Sequence, residues 1–223
     1  MIKHIGFYGH SSCAYRSPDS FLDILAQSLD ATIVNTGVRQ GSEERILFEL
    51  KKTKNLDLAI IFHSEPGYLF LPNCDRDIDV TGITKKRIDN LIPETQWDSE
   101  FSKKYSPIFL TEFKDRIQFT NLINNVKTHL YNADLMLNRY YGCLTQIDQY
   151  LLFKNIPAIH VLDKTNAIPN WFKFQSGVVD YDISLLCQEF KSTQPFFVNC
   201  ITKEGNIEVY KKIKSLINAA CSR

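Results

Sequence analysis

The sequence predicts one α/β domain with a mainly parallel sheet and helices on both faces. Three observations carry this reading. Short apolar runs alternate with segments of helical periodicity from Ile5 to Phe62. The run Leu58 to Phe62 is apolar at every position, as a strand covered on both faces requires. Strands separated by helices in this rhythm imply right-handed βαβ units and a parallel sheet.

The elements follow in order. Ile5 to Tyr8 reads as a strand ending in Gly9, and Asp19 to Leu29 as a helix with Phe21, Leu22, Ile24, Leu25 and Leu29 on one face. Ser17 or Asp19 can cap that helix, and Pro18 suits its first turn. Ala31 to Asn35 is the next strand and enters a turn running from Gly37 to Gly41. Ser42 can cap a helix to Lys54 whose buried face is Ile46, Leu47 and Leu50. Regularity stops after the third strand. Residues 66–107 carry Pro, Gly, Asn and Asp with isolated aromatics, and a connection of this length is either a lid-like insertion or a core-packing excursion. Phe113 to Asn155 reads as mostly helical with a break near Gly142. Pro157 to Leu162 reads as a strand, Pro169 to Val179 as irregular, and Ile183 to Phe190 as a short helix. Pro195 to Asn199 is expected to be the last strand and Gly205 to Ile217 the last helix. No repeat or linker divides the chain, so residues 1–223 are expected to form a single domain.

Length and composition narrow the classes. The 223 residues suffice for one large domain, and 44% hydrophobic with 23% charged residues is the balance of a globular protein. A formal net charge of +1 gives no global attraction to nucleic acid or an anionic membrane, and neither is expected as a partner. No apolar stretch is long enough to span a bilayer, and the first residues lack the pattern of a secretory signal, which points to the cytoplasm. The six cysteines (13, 74, 143, 187, 200 and 221) form no C-x-x-C pair or zinc spacing and read as reduced thiols. Asp75, Asp77 and Asp79 alternate but lack the glycine and downstream glutamate of a calcium loop. No metal or cofactor is expected.

The strongest chemical signal is Gly9-His10-Ser11 at the end of the first strand. A glycine allows a sharp turn there, and a serine is then carried at the carboxyl edge of an open sheet, where such folds bind ligands. The turn's N–H groups can stabilise an anion. A second turn, Val34-Asn35-Thr36-Gly37 followed by Gly41-Ser42, opens a helix.

These blocks resemble those of the SGNH (GDSL-type) hydrolases. The likeness extends in order through Leu58 to Phe62, the long helix and strand around Cys143 to Leu162, and Ile201-Thr202-Lys203-Glu204-Gly205-Asn206 before the last helix. It implies a three-layer α/β/α sandwich with a flavodoxin-like, five-stranded sheet of order 2-1-3-4-5. It also implies Ser11 as nucleophile and Gly41 as an oxyanion-hole donor.

Departures from the family pattern fall on the catalytic set. The family's Asp-x-x-His falls on Phe197 and Cys200. A thiol with a pKa near ~8.5 is a poor proton shuttle, and Phe cannot orient an imidazole. The third block reads His63-Ser64-Glu65-Pro66, with Ser64 or Glu65 where an Asn would donate to the oxyanion. A glutamate there opposes a contribution worth roughly 2.7–4 kcal/mol. The first-block Asp is His10. His63, after the third strand, neighbours Ser11 in such a sheet. It is a candidate replacement base, with Glu65 or Asp180 as its acid, or else a polar strand end. Cys200 is either a reactive thiol or a small filler, and His10, Ser64, Glu65 and Cys200 are candidate pocket-rim residues. His4, His129 and His160 read as satisfied structural histidines. Tyr68, Phe70, Trp97, Trp171 and Phe172 suit either sugar stacking or packing of long loops.

Two functions follow as expectations. One is a non-catalytic binding or structural module for a glycan or a partner protein chain. Chains of this divergent kind are carried by bacteriophages, which implies a virion-associated role. The alternative is a serine ester hydrolase or deacetylase acting on acylated carbohydrate, with Ser11 as nucleophile and His63 as base.

Overall fold

The computed structural model describes residues 2–9, 13, 19–37, 41–66, 68–70, 78–79, 132–163, 168–191 and 201–222. Its sheet contains β1 (His4–Gly9), β2 (Thr32–Asn35), β3 (Leu58–Phe62), β6 (Ala158–Val161) and β7 (Gly177–Asp180). Every pairing is parallel and the order is β2-β1-β3-β6-β7, so consecutive strands follow the expected 2-1-3-4-5 arrangement. A separate antiparallel pair, β4 (Tyr68–Leu69) and β5 (Ile78–Asp79), stands at the start of the 66–107 segment. Most of that segment lies outside the described residues.

Helices α1 (Phe21–Ser28), α4 (Asp182–Glu189) and α5 (Lys203–Cys221) cover one face of the sheet. Phe21, Leu22, Leu25, Ile183, Val209, Ile213 and Ile217 pack there against Ile5, Phe7, Leu58, Ile60, Phe62, Ile159 and Val161. Helices α2 (Glu43–Lys52) and α3 (Ala133–Lys154) cover the other face, where Ile46, Leu50, Ile147 and Leu151 meet Tyr8, Ala59, Ile61 and Ala158. The unbroken apolar run of β3 is thus divided residue by residue between two cores, each full side-chain burial contributing about 1.5–3 kcal/mol.

Local chemistry sets the helix ends. Ser42 Oγ accepts the Arg45 N–H, as the sequence led us to expect, and Glu43 and Glu44 then meet the positive end of the helix dipole. Helix α1 is capped by Ser20 rather than by Ser17 or Asp19. The Phe21 N–H is also taken by Asn206 of α5, which ties the chain's last helix to its first. Helix α3 stops at Asn155, in the left-handed conformation at φ 52°, two residues before Pro157. It runs straight through Gly142, where a break was expected; the caps and buried face outweigh the ~1 kcal/mol cost of one glycine.

The fifth strand is a correction. Residues 177–180 fall partly in the stretch read as irregular, yet they form β7 beside β6. The segment is short, and it begins with a glycine whose Cβ would lie 1.9 Å from the Ala158 carbonyl oxygen, so close strand approach masks the usual strand signal. The expected strand Pro195 to Asn199 lies outside the described residues. Among the described residues, no helix is long and apolar enough to cross a membrane.

Candidate functional site

The carboxyl edge of the sheet is built on an interlock of two turns. Gly9 ends β1 at φ +114°, and a Cβ there would fall 1.9 Å from the Phe62 carbonyl oxygen, so the position is reserved for glycine. Gly37, after β2, approaches just as closely: its Cβ would stand 2.3 Å from Cys13 Sγ and 2.8 Å from the Gly9 oxygen. The Gly37 N–H donates to the Cys13 carbonyl, Cys13 Sγ–H to the Tyr8 carbonyl, and Asn35 Nδ2–H to the Phe7 carbonyl. Burial holds the Cys13 thiol protonated, far above its usual pKa, which makes it packing and not a nucleophile.

Beside this interlock, on the α2/α3 face, lies a buried chain of hydrogen bonds. Glu43, the first residue of α2, turns its carboxylate inward. Its Oε2 lies 3.0 Å from His63 Nδ1, while Oε1 accepts the Ser64 N–H at 2.8 Å and the Ser64 hydroxyl at 3.2 Å. His63 follows β3 directly, and its N–H still donates to the Val161 carbonyl of β6. Its Nε2 is 2.9 Å from His160 Nδ1, and His160 Nε2 is 3.0 Å from Ser176 Oγ. Ser176, with Gln175, donates its N–H to the Asp148 carboxylate of α3. The rings of Phe174 and His160 stack at 3.9 Å. Glu43, His63, Ser64, His160 and Ser176 are all buried.

The donor inventory limits the proton positions. A carboxylate only accepts, so the contact with Glu43 places a hydrogen on His63 Nδ1. A neutral His160 has one N–H, so it either donates from Nδ1 to His63 Nε2 and accepts the Ser176 hydroxyl at Nε2, or accepts at Nδ1 and donates from Nε2 to Ser176 Oγ. Burial, and secondarily the neighbouring His63, hold His160 well below the usual histidine pKa, so this ring stays neutral. Such a buried polar chain is tolerated because each member is paired; an orphaned neutral member costs roughly 1–3 kcal/mol.

The sequence-derived candidates distribute as follows. His63 is in the chain, but its acid is Glu43, not Glu65, which is exposed, nor Asp180, which accepts the Ile183 N–H and pairs with Lys212. Ser64 is buried under Glu43, not placed on a rim. Gly41 is buried and precedes the cap residue Ser42. His10, Ser11, Phe197 and Cys200 lie outside the described residues. His160 is, as expected, a satisfied histidine, yet it is also the partner of His63.

Sequence reasoning missed Glu43, Asp148 and Ser176. Asp148 had a signal: four residues after Leu144 and one after Ile147, it interrupts the buried stripe of α3. Glu43 had none, because an acid in the first turn of a helix is ordinary. Among the described residues, no three His, Cys, Asp or Glu side chains converge as a metal site. The two histidines spend their ring nitrogens on each other, Glu43 and Ser176.

Compared with protein-family models, curated proteins and solved structures, the chain matches none of them.

Proposed function

We propose that this chain is a non-catalytic binding module on an SGNH-like scaffold, which holds a glycan or a partner chain without turning it over. The observation that carries the reading is the double engagement of His63. This ring, the candidate base nearest the Gly9-His10-Ser11 turn in the strand order, has Nδ1 on Glu43 and Nε2 on His160. It is about 1% exposed, so delivering a proton to a substrate would require breaking a buried, paired chain. The residue identities Phe197 and Cys200, where the resemblance puts Asp and His, point the same way.

One observation favours a second reading, a serine ester hydrolase using Ser11. The Glu43–His63 contact at 3.0 Å is the acid–imidazole half of a relay, with the carboxylate orienting the ring through Nδ1. Activity would then need Nε2 to exchange His160 for the Ser11 hydroxyl.

Treatment with a fluorophosphonate probe, followed by intact mass and set beside Ser11→Ala, separates the two. The binding reading expects no adduct on the folded protein. An adduct that disappears in Ser11→Ala overturns it and moves the function to the hydrolase reading.

A further inference from the structure

We infer that the outward corner formed by Trp171 and Tyr141 is a carbohydrate-binding platform that takes the apolar face of a neutral pyranose. The inference rests on the binding-module reading and gives that module a ligand class and a location.

Trp171 is 71% exposed, an unusual state for the largest side chain, yet the loop that carries it is firmly tied down. The Phe172 N–H closes a turn on the Pro169 carbonyl. Gln175 and Ser176 are held through their N–H groups by the buried Asp148 carboxylate. Phe174 is buried against Tyr140, Leu144 and Leu162. The rings form a continuous ladder from the surface to the buried chain: Trp171 on Phe172 at 6.0 Å, Phe172 on Phe174 at 4.9 Å, and Phe174 on His160 at 3.9 Å. An exposed indole at the end of an anchored ladder loses little conformational entropy when a ligand stacks on it.

The corner's shape selects the ligand. Tyr141 meets Trp171 at 6.0 Å with an interplanar angle of 76°, so the two rings form a wall and a floor. A pyranose presents axial C–H groups on a flat face and hydroxyls around its rim. The face matches an aromatic floor, and the rim needs polar neighbours. Asn170 and Lys173 stand exposed on the same loop, and Asn138 stands exposed one turn from Tyr141 on α3. The other strongly exposed apolar side chains of α3, Leu135 and Phe153, are separated from Tyr141 by about 9 and 18 Å along the helix axis. Among the described residues, the corner is therefore a small island bordered by these polar side chains, unlike the broad apolar patch of ~800 Å² per partner that a stable protein interface needs. Tyr140, next to Tyr141, packs on Leu162 just beyond β6, which sets the corner at the carboxyl end of the sheet, where open α/β sheets take ligands.

The chain has two tryptophans, so Trp97→Phe leaves Trp171 as the only indole. In that background, indole emission is followed during titration with cellobiose, maltose, lactose and N,N′-diacetylchitobiose, alongside saturation-transfer NMR on each sugar. We expect a saturable emission shift and saturation transfer to ring C–H protons with at least one sugar. Trp171→Ala should abolish the transfer and Tyr141→Ala should weaken binding about tenfold, both with unchanged circular dichroism. No response to any of the four sugars, or transfer that survives Trp171→Ala, overturns the proposal. So does self-association that depends on Trp171, which would make the corner a protein interface. The fluorophosphonate experiment is independent: an adduct on Ser11 defeats the binding-module reading, whereas silence in both experiments defeats only the corner.

Discussion

On the face covered by α1 and α5, the core residues presented by β1, β3 and β6 are Ile5, Phe7, Leu58, Ile60, Phe62, Ile159 and Val161, all apolar. On the face covered by α2 and α3, the same strands and the residue following β3 present Tyr8, His63 and His160 among Ala59, Ile61 and Ala158. The first face is held by volume, so its losses are graded in the number of methyl groups removed. The second is held by pairing as well as volume. Each member of the Glu43–His63–His160–Ser176 chain depends on the next, so one deletion removes a buried contact that water cannot replace. The buried chain sits on the second face, with the loop that carries Trp171 anchored to it.

This contrast can be tested by substitution. The largest effect is expected from Glu43→Ala, which strips the carboxylate from His63 and both Ser64 donors. Deleting the acceptor shared by these buried donors costs roughly 1–3 kcal/mol per donor, read as a fall in the urea midpoint at constant slope. A loss below about 1 kcal/mol would mean that the second face, too, responds mainly to volume.

The next effect is a pH dependence carried by His160. Its folded pKa is depressed well below the ordinary histidine value of about 6.5, so the unfolded chain binds the proton first as the pH falls. The contribution to stability is complete above about pH 6.5 and is lost progressively below it, by at most about 1.4 kcal/mol per pH unit for one proton. Thermal melts from pH 7.5 to 5.5 should show this slope, and His160→Gln should flatten it whatever its effect on absolute stability. An equal slope in both proteins would remove His160 as its source.

The smallest effect belongs to the apolar face. Ile213→Val, fully buried on α5, removes one methyl group and should cost about 0.5–1.5 kcal/mol with no change in pH dependence. A new pH slope in this variant would show that the two faces are coupled.

Much of the scaffold was legible from residue pattern. Leu58 to Phe62 was readable to the residue because a fully covered parallel strand has no polar position to blur its ends. Ser42 was readable as a cap because a hydroxyl before an amphipathic run has one favourable use. β7 was not readable, since four residues starting with glycine carry too little periodicity, and only the neighbouring β6 makes them a strand. The site was half legible. His63 stood out as an imidazole following a buried strand, but its acid lies 20 residues earlier and its second partner 97 residues later.

By itself, the sequence determined the alternation of elements, the Ser42 cap of α2 and the parallel class of the sheet, because periodicity and capping are local. It also supplied the polar residues out of which the buried chain is made. Only the tertiary structure decided that Glu43, His63, His160 and Ser176 meet, and that Trp171 faces outward while Phe174 faces in. Those contacts join α2, β3, β6 and the loop before β7 across long stretches of chain. Hydrogen-bond pairing over such distances depends on strand order and helix placement, which no local pattern of residues records.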